Sequence, residues 1–362
     1  MFGKTPMKIV LVTETQTGCY KWRGAIPAKY LRLRGHTVEV FSGGTQTFEV
    51  PDVMVFFRAQ VQEAKELVAA CRRHSVRVVF DTDDALDLIP RENPNYAGLQ
   101  TQIPIYEFLL READVVTTTT ATLAEHLRRW NANVAVIPNS VDPEEWSPAA
   151  KGAGVRIGWT GSPTHFVDLG VALDAIRRLQ KKYNFRFILQ GICNENTLDE
   201  LREVLMASLG KEYFNSAAGK PMKHFLSQLA DIRYEFHPHV PIDQHPQTVC
   251  KLGLDIGIAP LAADRFNQNK SCIKYYEYAM AGAVTVASKV LPYSEEVPVT
   301  AKNNRESWIA QLEWTLNTDR EALAREQREW VLTHRNIQTN VALWEQAFSG
   351  IRQGMMQSGA VK

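Results

Sequence analysis

The chain has 362 residues, more than a single hydrophobic core of about 250–300 residues usually organises, so two domains are expected. Hydrophobic residues make up 45% and charged residues 22%, enough apolar material to bury a core in each half. A net charge of +1 excludes a global field that would gather DNA, membranes or acidic polymers, though not a local basic groove.

The five cysteines, Cys19, Cys71, Cys193, Cys250 and Cys272, are scattered without a Cys-x-x-Cys pair. That pattern argues against a disulfide framework or a zinc site and for a reducing, cytoplasmic setting. The first residues lack the apolar stretch and cleavage site of a signal peptide. No run reaches the about 18 apolar residues of a membrane span, so only peripheral membrane contact stays open.

In chain order, Lys8-Ile9-Val10-Leu11-Val12 is a continuous apolar run, as in a strand buried on both faces. A polar loop with Gly18 follows. A helix then begins at Ile26-Pro27-Ala28-Lys29-Tyr30-Leu31 and stops at Gly35, and Thr37-Val38-Glu39-Val40-Phe41 reads as the next strand. This strand–helix–strand rhythm is the unit of a parallel sheet. It repeats with a strand at 53–57, a helix at 62–73 and strands at 77–80, 115–117 and 134–137.

The Pro-, Ala- and Gly-rich stretch 143–154 reads as an interdomain linker, after which the rhythm restarts. Strands are expected at 155–159, 185–189, 232–236, 256–259 and 283–287, with an amphipathic helix at 167–183 and an irregular stretch at 197–228. Residues 303–350 read as helices, with Trp308, Trp314, Trp330 and Trp344 as bulky packing. The expected fold class is therefore α/β: two Rossmann-like domains, 1–148 and 154–325, facing across a cleft. A helix at 326–350 returns toward the first.

Ligands of open parallel sheets bind beyond the carboxyl ends of the strands, where helix N-termini favour anions. Four such ends carry candidate residues. Residues 13–24 offer Gly18, Tyr20 and Arg23, although a dinucleotide fingerprint is absent and an ordinary tight turn is the plain alternative. Asp81-Thr82-Asp83-Asp84 clusters three mutually repelling carboxylates, suited to a metal, a hydroxyl acceptor or a helix N-cap. Gly158-Trp159-Thr160-Gly161-Ser162-Pro163-Thr164-His165 reads as a phosphate nest ahead of a helix near Asp168, or as simple loop capping. The fourth end runs from Asp255 through Asn269-Lys270-Ser271 to Gly282. There a helix is expected to hold Lys270 and Ser271 in its first turn, and to place Lys270, Lys274 and Glu277 on one face. A solvated Lys–Glu pair is the plain alternative.

Four segments together resemble the family-four glycosyltransferases of GT-B fold: Gly35-His36-Thr37-Val38, Ile137-Pro138-Asn139-Ser140-Val141-Asp142, Ile157-Gly158-Trp159-Thr160-Gly161 and Glu277-Tyr278-Ala279-Met280-Ala281-Gly282. The resemblance implies a retaining transferase that takes a nucleotide-diphosphate sugar, UDP- or GDP-linked, as co-substrate, with no metal or other cofactor. It sets Glu277 at the second acid of the family's E-x7-E motif, near the donor ribose. The first acid falls on Asn269, a departure that leaves the sugar open. His165 stands where a basic diphosphate ligand is expected, and Lys270, Lys274 and Ser271 take that role by their chemistry.

Residues 236–242, with His239 and Val240, would pass the base. Gly161, Ser162, Gln190, Gly191, Gly18 and Arg23 complete the donor set, and Asp83 and Asp84 would position an acceptor glycan, lipid or small molecule.

Residues 18–23 and 80–84 also resemble a subgroup often carried by bacteriophages, which raises transfer to 5-hydroxymethylcytosine in DNA. Lys21, Arg23, Lys29, Arg32 and Arg34 are the basic candidates for such an acceptor, or merely a solvated helix face. A sugar-nucleotide epimerase and a non-catalytic nucleotide-sugar-binding subunit are the remaining alternatives.

Overall fold

The computed structural model describes residues 5–13, 18–42, 48–58, 63–192, 202–203, 206–207, 210–217 and 219–350. Cys193, residues 14–17 of the first loop, Gln62 and most of 197–209 lie outside the described residues. The chain forms two compact units: Met1–Asp83, Gln102–Ser140 and Ile337–Lys362 make the first, Asp84–Thr101 and Val141–Asn336 the second.

These borders differ from those read off the sequence. The chain enters the second unit at Val141, ahead of the Pro-rich stretch. The reason is local: the Val141 N–H donates to the Arg335 carbonyl at 2.6 Å, and Val141 bridges Asn336. The predicted terminal helix is two, Arg320–His334 in the second unit and Ile337–Ser349 in the first.

The first unit carries a parallel sheet of β1 (Lys8–Val12), β2 (Thr37–Phe41), β3 (Val53–Phe57), β4 (Arg77–Asp81), β5 (Val115–Thr118) and β6 (Val134–Val136), ordered β2-β1-β3-β4-β5-β6. All five residues of β3 are buried, which explains its unbroken apolar run. The helical segment after β1 starts earlier than predicted. It runs from Gly18–Tyr20 through a π-helical turn, Lys21–Ala25, into Ile26–Leu33. Helix Ile337–Ser349 completes this core, with Val341, Trp344 and Phe348 packed among Ile9, Leu11, Tyr30 and Leu31.

The second unit carries β7 (Val155–Thr160), β8 (Phe185–Gln190), β9 (Glu235–His237), β10 (Ile256–Ala259), β11 (Val284–Ser288) and β12 (Thr300–Ala301). All pair in parallel, in the order β12-β11-β10-β7-β8-β9. β9 falls later than the predicted 232–236 because the Ile232 N–H caps the Leu229 carbonyl at 3.1 Å, closing helix Lys220–Leu229. Helices Phe166–Leu179, Lys220–Leu229 and Arg305–Leu316 share a core with Ile157, Phe187 and Val286. No helix among the described residues is long and apolar enough to cross a membrane.

Candidate active site

Strand order in the second unit reverses between β7 and β10, and the crevice beyond the carboxyl ends of such neighbours is where open α/β sheets hold ligands. The turn after β7 begins at Gly161, whose N–H donates to the Gln190 carbonyl at 3.0 Å. A Cβ on Gly161 would lie 2.6 Å from the Trp159 ring and 2.8 Å from Nζ of Lys274, so no larger residue fits. The turn after β8 is glycine for a related reason. Gly191 has φ +84°, and a Cβ there would lie 2.7 Å from the Gly161 carbonyl oxygen. The buried Gln190 donates its amide to the Pro238 carbonyl at 3.2 Å, while its Oε1 has no partner among the described residues.

Helix Ile273–Met280 supplies two charges to this end of the sheet. It seats closely because Gly257 of β10 leaves room for the Tyr278 ring, whose hydroxyl accepts from the Thr160 N–H at 2.9 Å. Lys274, in the first turn, donates to the Thr160 carbonyl at 2.5 Å and lies 4.9 Å over the Trp159 ring. Burial, aided by the charge of Lys270, lowers its pKa against the pull of Glu277 and Asp168. Three residues on, the buried Glu277 pairs with His245 at 3.2 Å.

Lys270 and Ser271 are not in that helix, contrary to the sequence expectation. A short 3-10 turn, Asn267–Asn269, comes first, Lys270 is extended (φ −75°, ψ 174°), and Cys272 is the N-cap. Only Lys274 and Glu277 therefore share a helix face. Lys270 is held from the loop, with Nζ 4.6 Å over the Phe266 ring. Asn269, at the first position of the expected acidic pair, is buried and donates its amide to the Arg265 carbonyl at 2.6 Å.

The loops after β7 and β10 are tied together by Asp168. Its Oδ1 accepts from the Ala262 N–H at 2.8 Å and the Asn267 amide at 2.9 Å, and its Oδ2 lies 2.9 Å from Nδ1 of His165. Burial works to raise the Asp168 pKa, but the His165 bond and the Lys270 charge outweigh it and hold the carboxyl below its usual range. For His165, burial and the positive charges of Lys270 and Lys274 push the imidazole down to about 4, against the pull of Asp168. Ser162 and Thr164 pair through their hydroxyls at 2.8 Å rather than capping the helix. His239 is exposed and Val240 half-buried in the loop after β9.

Asp168, His245 and Asn267 were missed by sequence reasoning. Asp168 had one visible signal, its place three residues after His165 at a helix start.

The first-unit candidates have other occupations. Arg23 is fully enclosed: Nε and Nη2 bind both oxygens of Asp81 at 3.0 and 2.7 Å, and Nη1 donates to the Ile137 carbonyl at 2.6 Å. Its guanidinium also lies 4.5 Å over the Trp344 ring. Arg23 is thus engaged in a buried ion pair within the first unit, and Gly18 opens the short helix leading to it. Asp83 is held by Nε of Arg58 at 2.6 Å, while Asp84 groups with the second unit.

The basic cluster considered for DNA is also largely committed. Lys21 is buried, Arg32 donates to the Val38 carbonyl, and Arg34 pairs with Glu345 at 2.6 Å. Lys29 remains exposed.

No protein-family model matches the chain, and no curated protein sequence does. The fold is that of the GT-B glycosyltransferases, two α/β units each built on a parallel six-stranded sheet. An α-glucosyltransferase solved with UDP-glucose and DNA containing an abasic site has TM-score 0.64 at 13% identity, covering 95% of this chain and 100% of its own. HepE from Anabaena, in complex with UDP, has TM-score 0.63 at 13% identity, covering 95% and 100%. An E. coli trehalose-6-phosphate structure bound with UDP-2-fluoro glucose has TM-score 0.62 at 12% identity, covering 95% and 99%. At these identities the likeness is one of fold.

Proposed function

We propose that the protein is a glycosyltransferase that moves a sugar from a nucleotide-diphosphate sugar to a hydroxyl acceptor, with the donor held by the second unit. One observation carries this reading. Lys270, Lys274 and the uncapped start of helix Ile273–Met280 gather positive charge at the β7/β10 switch point, beside the close-packed glycine turns at Gly161 and Gly191. As the bond to the anomeric carbon breaks, the departing diphosphate gains negative charge, and these groups stabilise it. Glu277, oriented by His245, is suited to accept from ribose hydroxyls.

The family-four resemblance supports a retaining outcome, in which the leaving phosphate itself takes the acceptor's proton. The comparison structures that hold UDP or UDP-sugars support a uridine donor. A thermal-shift series with UDP, GDP, ADP and their glucose conjugates tests the donor site, because a ligand stabilises the fold that binds it. Stabilisation by none of them removes the proposal.

A second reading has a hydroxymethylated base in DNA as acceptor. Its support is the likeness to α-glucosyltransferase, solved with UDP and a 13-mer DNA containing an HMU base. Incubating UDP-glucose with hydroxymethylated and unmodified duplexes, followed by mass spectrometry of the nucleosides, decides it. A hexose mass on the modified base alone favours DNA; unchanged nucleosides favour a glycan, lipid or small-molecule hydroxyl.

A further inference from the structure

The sequence sets His165 in the place of a diphosphate-binding cation, but its surroundings fit a different partner. Asp168 receives three converging N–H groups, from Ala262, Asn267 and His165, as an ionised carboxylate does. The nitrogen facing it, Nδ1, must then be the one that carries the imidazole proton. The charged groups around the ring are Asp168 on its own helix, Lys270 from the loop after β10 and Lys274 from helix Ile273–Met280. Packing and the two ammonium groups disfavour the charged imidazolium and favour the neutral ring.

Nε2 therefore offers a lone pair and no hydrogen. It makes no hydrogen bond among the described residues, and the side chain keeps 28% of its surface exposed. A phosphate oxygen would meet that lone pair with lone pairs of its own, whereas a hydroxyl brings a hydrogen. We propose that His165 accepts a hydrogen bond at Nε2 from a hydroxyl of the transferred sugar, and so selects the sugar while Lys270 and Lys274 hold the diphosphate. This rests on the donor-site reading above.

The test is calorimetric binding of UDP and UDP-glucose to the wild type, His165→Ala, His165→Lys and His165→Asn. The asparagine keeps an N–H toward Asp168 and removes only the Nε2 acceptor; circular dichroism and melting confirm that each variant is folded. The expected result is UDP affinity within about threefold of wild type in the alanine and asparagine variants, with about tenfold loss for UDP-glucose that lysine does not restore. Wild-type UDP binding at pH 7 should take up no proton, read from buffers of differing ionisation enthalpy. A tenfold loss of UDP itself, recovered by lysine, or proton uptake that vanishes in the variants, would overturn the inference and leave the donor site standing. So would unchanged affinity for both ligands in every variant. A wild type that binds no nucleotide or nucleotide sugar overturns the donor reading along with it.

Discussion

Tyr278 lies so close over Gly257 that a Cβ on the glycine would sit 2.3 Å from its ring, while its hydroxyl grips the end of β7 at Thr160. This contact fixes the height of helix Ile273–Met280 on the sheet, and with it Lys274. Gly257→Ala should overpack the contact, at a cost of about 1–3 kcal/mol. It should also weaken nucleotide binding by displacing the lysine. Urea unfolding and a UDP titration check both; full stability with full binding would show that the helix is positioned by something else.

Lys270→Ala and Lys274→Ala should each weaken donor binding or turnover by about 10–150-fold, the equivalent of losing a charged hydrogen bond worth about 1.5–3 kcal/mol. Glu277→Ala should abolish transfer without unfolding the protein. Steady-state kinetics beside melting temperatures separate lost chemistry from lost structure. Ordinary turnover by the Lys270 variant would remove that residue from the diphosphate site.

Between about pH 6.5 and 4 an unfolded imidazole takes up a proton that folded His165 refuses, so stability should fall as pH drops through that window. The full effect is about 3 kcal/mol, reached near pH 4. Asp168 acts in the same direction only at lower pH, because its folded pKa lies below the usual carboxylate range. Denaturant midpoints of wild type and His165→Gln should diverge across pH 6.5 to 4; superimposable slopes would mean that the ring titrates normally.

Arg23→Ala should cost about 3–5 kcal/mol of stability, because it strands the Asp81 carboxylate in the interior. Donor affinity, measured on whatever remains folded, should not change. A loss of UDP binding larger than the loss of folded protein would return Arg23 to the donor site.

With two lysines supplying positive charge, EDTA should leave the transfer rate within about twofold of its starting value. Complete loss restored by manganese would assign the Asp81–Asp84 region, or another carboxylate, a metal role.

The sheets were legible because central parallel strands are buried on both faces and leave unbroken apolar runs such as 53–57 and 256–259. The start of the helix carrying Lys274 was less so. Ser271 is a common kind of N-cap, yet the tight turn Asn267–Asn269 moves the cap to Cys272. The Asn267 amide reaches Asp168 across 99 residues of sequence. The pairing of Arg23 with Asp81 was hidden for the same reason: the two lie 58 residues apart, and local pattern does not reveal such partners.

The helix Ile337–Ser349 belongs to the unit that β1 begins, and Glu345 pairs with Arg34 across 311 residues. During synthesis the first six strands would therefore wait on the ribosome with an unfinished core, while the whole second unit is made and folds. Chains truncated before Ile337 should accordingly be captured by chaperones or aggregate, however well the remainder is chosen.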